Sequence, residues 1–113
     1  MLRMTALGSV AAALALASFA SAQPASDHNV MVMNDYMAAM QNMDKATADA
    51  KGASPDETYA RKMIAHHRGA IEMSQIELRH GADAKAKKLA QMTIDENTKG
   101  IADLEKWLKS HGR

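Results

Sequence analysis

Met63, His66, His67 and Met73 fall within eleven residues of one segment, Arg61 to Leu78, which reads RKMIAHHRGAIEMSQIEL. Thioether sulfur is a soft ligand and imidazole nitrogen a borderline one, so their spacing on one helix points to copper(I) or silver(I) before it points to catalysis. Upstream, Met33, Met37, Met40 and Met43 repeat the sulfur chemistry at intervals of three and four. The chain has no cysteine. A thioether and imidazole site cannot be lost to disulfide formation outside the cytosol, whereas a thiolate site can.

Rival chemistries find less support. Glu77-Leu78-Arg79-His80 matches the Glu-x-x-His of di-iron bundles, but no second copy faces it from elsewhere in the chain. There is no Cys-x-x-Cys-His for covalent haem and no His-Glu-x-x-His for zinc hydrolysis. Ser74 has no base and orienting partner, so a metal carrier or buffer is expected rather than an enzyme. One conditional site lies near the start. A chain trimmed to Ser26 would offer a free amine, two backbone amides and His28 to square-planar copper(II), although small-residue preference disfavours that cut.

The elements that must position these groups follow from periodicity. Arg3, an apolar run from Thr5 to Ala20 and the small-x-small spacing of Ala20-Ser21-Ala22 read as a signal peptide over residues 1–22, with export from the cytosol and no stable membrane insertion. Its removal leaves one domain, 23–113, of 91 residues with 13 basic side chains against 13 acidic ones. A balanced charge gives no reason to expect nucleic acid or an anionic membrane as partner. A domain this short buries roughly 60% of its unfolded surface, so metal or homo-oligomerisation is expected to add stability in place of the missing disulfides.

Apolar residues recur at three and four, and nothing alternates at two, which predicts an all-α, antiparallel up-down-up bundle of three helices. The first is expected over Val30 to Ala50, with a stripe of Met33, Met37, Met40 and Asp44 flanked by Val30 on one side and by Tyr36, Met43 and Thr47 on the other. Ser54-Pro55-Asp56-Glu57 reads as an N-cap, a first-turn proline and the glutamate of a capping box. The second helix then runs to His80, with Gly81 expected in the left-handed conformation that stops it. Tyr59, Met63, His66, Ala70, Met73 and Glu77 share a sector of about 80° at 100° per residue. Arg61, Lys62, Arg68, Glu72, Gln75 and Arg79 take the solvated side. Asp83 caps the third helix, Ala84 to Ser110, whose middle Gly100 weakens.

If the first turn pivots near Ala53, Met43 lies across from Met63, Met40 from His66, and Met33 from Met73. Two soft-metal positions are then expected: Met40, Met43, Met63 and His66 near the first loop, and Met33, Met37 and Met73 nearer the other end, with Met92 at the margin. His66 fits the stripe. His67 lies about 100° away and has three roles open: a copper(II) ligand, a contact to the third helix, or a support for its neighbour. The competing expectation is an envelope interaction module without metal, in which methionine, a flexible core filler, simply packs the interior.

MNDYMAAM at Met33 to Met40 and YARKMIAHHRGAIEMS at Tyr59 to Ser74 resemble the two most recognisable segments of the CopM-type periplasmic copper-binding proteins. The likeness continues through LAQMTI at Leu89 to Ile94 and on to Trp107-Leu108. This resemblance implies a ferritin-like helical bundle located in the periplasm that binds copper and serves copper tolerance or delivery to other periplasmic copper-handling proteins. It implies Met63, His66, His67 and Met73 as ligands, with Met33, Met37 and Met40 from the first segment. Where such proteins commonly carry Gln, Glu and Met in the third helix, this chain has Asn97, Gly100 and Leu104.

Overall fold

Hydrogen bonds around Ser54 organise the first turn of the chain. Its side chain accepts from Glu57 N at 3.1 Å, Pro55 occupies the first helical turn, and Glu57 Oε2 accepts from Ala53 N at 3.0 Å. Orphan amides at the helix start are satisfied in this way, and the carboxylate sits favourably at the positive end of the helix dipole. Glu57 is buried, and the Arg61 guanidinium donates to its other oxygen at 2.8 Å and 3.0 Å.

The computed structural model describes the backbone of residues 23–111 and the side chains of 27–111. The expected signal peptide lies outside the described residues. The capped helix, α2, spans Pro55–His80; before it α1 spans Gln23–Asp49, and after it α3 spans Ala84–His111. α1 thus begins seven residues before the expected Val30, which brings His28 into the helix. Asp83 caps α3 as its sequence predicts, Oδ1 accepting from Ala86 N at 2.7 Å. Gly81 departs from expectation: its φ of −67° and ψ of 154° are extended, not left-handed. Glycine is needed there for space, since a Cβ would overlap the Glu77 carboxylate that lies over it.

Among the described residues the fold is all-helical and contains no strand, an up-down-up bundle. α2 packs against α1 on one side and α3 on the other, while the α1 and α3 backbones stay apart and only the end of α1 at Asp49 borders a cleft with Glu105 and Leu108 of α3. The bundle is therefore a flat layer with two broad faces and a small core. Ala39, Ala60, Ile64, Ala65, Ile76 and Ala90 are the buried apolar residues. Small side chains let the helix backbones approach. At Gly69 of α2 an added Cβ would overlap the Met43 side chain, and at Gly100 of α3 it would lie 2.9 Å from the His67 ring. Among the described residues no helix is long and apolar enough to cross a membrane.

Candidate metal-binding face

The register of α1 against α2 decides which methionines meet. Met43 packs on Gly69, Tyr36 and Ile76 line one cavity, and Lys62 Nζ donates to the Thr47 carbonyl at 2.6 Å. These pairs place α1 residues level with α2 residues three to six positions, or one to two turns, further along than a pivot at Ala53 predicts. The cause lies in the loop. Gly52 N donates to Thr58 Oγ1 at 3.0 Å and Ala53 N to Glu57, so the connection folds back along the first turn of α2 instead of reversing at Ala53. Lys62, expected on the solvated side, instead caps the C-terminal carbonyls of α1, where a cation is favoured by the helix dipole.

Two corrections follow. Met43 does not meet Met63; it fills the α1–α2 seam against Gly69, six residues away. The buried stripe of α1 is also rotated from the expected one toward its Tyr36, Met43 and Thr47 flank. Ala39 is buried, and Val32, Tyr36, Met43 and Thr47 are half-buried, whereas Met33 is 62% exposed, Met37 55% and Met40 49%. The methionine stripe thus lies about a quarter turn round from the contact with α2, because alanine and glycine, which permit close approach, hold the seam.

This rotation puts the ligand groups on one broad face. Tyr59 of α2 and Trp107 of α3 wall a cleft of about 380 Å3 on that side, with Asp56 and Asp103 at its rim. His66 is exposed on the same edge of α2, and Met63 and Met73 are half-buried. On α1 the turn of 100° per residue carries Met33, Met37 and Met40 to the same side as Thr47, whose carbonyl Lys62 holds. The opposite face is charged: Asn42, Ala46, Arg68 and Glu72 line one cleft, and Arg68 pairs with Glu105 at 3.3 Å.

Along the thioether face the groups fall into two sets. Met37 and Met40 come level with the turn of α2 that carries Met73, and Met33 lies one to two turns beyond. Met63 and His66 lie toward the first loop, on the stretch of α2 that ends at Tyr59 and the Trp107 cleft. Met40 therefore moves from the expected first set to the second. Met92, 46% exposed and two residues past buried Ala90, lies on the far side of α3. His67 takes one of its three open roles, since its half-buried ring abuts α3 at Gly100. Its Nδ1 is buried without a hydrogen-bond partner. Among the described residues no three His, Asp or Glu side chains converge as a formed metal site. Soft-metal binding on this face would therefore lean on sulfur.

The family model of DUF305, a domain of unknown function, matches residues 4–108. The chain belongs to the DUF305 family. Comparison with curated proteins finds no match. The DUF305 match extends over all three helices up to Leu108, so both sets of thioethers and the histidine pair fall inside it.

Proposed function

We propose that this DUF305 protein binds copper(I) on its thioether face and acts as a periplasmic metallochaperone or buffer in copper tolerance, a carrier and not a catalyst. One observation carries the reading: Met33, Met37 and Met40 stand about half exposed or more on the face that also holds His66 and Met73. Methionine used only as filler is buried, and the core here is built of alanine and isoleucine. Thioether and imidazole suit copper(I) and silver(I), and neutral sulfur ligands release the ion readily by ligand exchange to an acceptor. The leader-like N-terminus and the resemblance to CopM-type proteins support the same reading.

The test is anaerobic competition of the purified protein against a chromogenic copper(I) chelator. Met40→Leu with Met73→Leu, and separately Met63→Leu with His66→Ala, probe the two sets. Binding that either double variant weakens at least tenfold supports the proposal. A wild-type protein that takes no copper(I) from a micromolar chelator complex sinks it, and the exposed methionines then read as an adaptable protein-docking surface.

A further inference from the structure

At the end of the layer remote from the first loop, α1 begins beside the last turn of α2, and imidazole and carboxylate side chains border the seam there in pairs, not yet closed into one set. The rings of His28 and His80 lie edge to face with centroids 5.3 Å apart. His80 Nε2 is 3.3 Å from Asp35 Oδ2. His28, Glu77 and His80 line one cavity of about 130 Å3 between the two helices.

We propose that this seam binds a borderline divalent cation, zinc(II) or copper(II), through His28, His80 and the Glu77 carboxylate, with Asp35 as the residue that positions His80. The donor set argues for the class of ion, because imidazole and carboxylate without thioether select divalent zinc or copper over copper(I). The site is thus independent of the thioether face, and either can fail alone.

The ring separation fits one shared ion. Two imidazoles at metal–nitrogen distances of about 2.0–2.1 Å and a tetrahedral angle have centroids about 5 Å apart. The observed 5.3 Å matches that separation, and ring rotation has only to turn the nitrogens toward a common point. Asp35 Oδ2 lies 3.3 Å from His80 Nε2, within ion-pair reach though not in hydrogen-bond alignment; a small turn of the ring that lets Nε2–H donate to it would leave the Nδ1 lone pair for the ion, the carboxylate–histidine–metal arrangement of many sites. Glu77, three residues before His80, occupies the same side of α2. Its carboxylate now rests over Gly81, and rotation about its side-chain bonds closes the set. Three protein donors leave the fourth position to water or an incoming ligand.

The probe is zinc(II) alone, titrated into the purified protein against a chromogenic zinc chelator at neutral pH. We expect one zinc(II) per chain, weakened at least tenfold by His28→Ala and by Glu77→Gln and unchanged by Met73→Leu or His66→Ala. His28 is exposed, so its variant keeps the fold, and circular dichroism verifies that. Asp35→Asn should lower affinity about 10–100-fold. In the metal-free protein it should also shift the His80 tautomer balance seen in imidazole nitrogen NMR, which a purely structural role would not do. Absence of zinc(II) binding at micromolar concentrations, or binding indifferent to His28→Ala, overturns the proposal.

Discussion

Alanine substituted at two mid-helix glycines gives opposite expectations. Alanine is favoured over glycine inside a helix by about 1 kcal/mol, so both substitutions start with the same gain. At Gly69 the new Cβ overlaps the Cβ, Cγ and Sδ of Met43. Relief there requires α1 to move, because a methionine Cβ is fixed to its backbone, and such overpacking costs about 1–3 kcal/mol. At Gly100 the new atom meets only the outer edge of the His67 ring at 2.9 Å. A ring can yield by a small off-rotamer turn costing about 0.5–1.5 kcal/mol. The net expectation is Gly69→Ala destabilised by about 1 kcal/mol, a fall of about 4–8 °C in melting temperature, and Gly100→Ala within about 0.5 kcal/mol of wild type. Thermal and urea unfolding followed by circular dichroism measure both. A Gly69→Ala protein as stable as Gly100→Ala would refute the α1–α2 register from which the two thioether sets are assigned.

Further expectations rest on other parts of the layer. Met43→Ala, which empties the seam over Gly69, should cost about 2 kcal/mol in urea unfolding, whereas Met40→Leu on the exposed face should change stability by less than about 0.5 kcal/mol. Ser54→Ala removes the N-cap of α2 and should cost about 1 kcal/mol, read as a lower melting temperature with unchanged helicity at 10 °C. The Lys45 ammonium, hydrogen-bonded to Asp49, holds that carboxyl below its ordinary range. Its contribution is therefore present above the usual aspartate range and lost as pH falls through the lowered one. Both groups are fully exposed, so the difference between wild type and Lys45→Ala in an acid titration of melting temperature should be small and should vanish in 1 M salt.

N-terminal capping signals in the sequence held, whereas the C-terminal glycine signal at Gly81, the start of α1 and the long-range pairing did not. Ser54, Pro55, Glu57 and Asp83 announce helix ends because capping is settled within four residues, and the structure keeps those ends. The pairing of α1 with α2 depends on how five residues between Asp49 and Pro55 travel, and the bonds of Gly52 and Ala53 to Thr58 and Glu57 have no periodic signature. Helical periodicity alone places the methionines at the centre of the α1 stripe. The better signal was size, since Ala39, Ala65 and Gly69 mark where two backbones can approach. Gly100, read as a weak point of α3, makes room for His67. The proximity of His28 to His80 was hidden because α1 was expected to start after His28.

Because the α1 and α3 backbones do not pack together, α1 is attached to the rest of the molecule mainly along its seam with α2. Its amides should therefore open to hydrogen exchange at lower free energy than those of α2, which is braced on both sides. Met33, Met37, Met40 and His28 all belong to this loosely tethered helix, and their counterparts Met73, Glu77 and His80 belong to the braced one. An ion gripped from both sides of the seam acts as a clasp, adding about 2.7 kcal/mol to the attachment when free ion stands at one hundred times its dissociation constant. Metal supply would then be converted into the docking or release of one helix, a mechanical state that a partner protein could read without touching the ion.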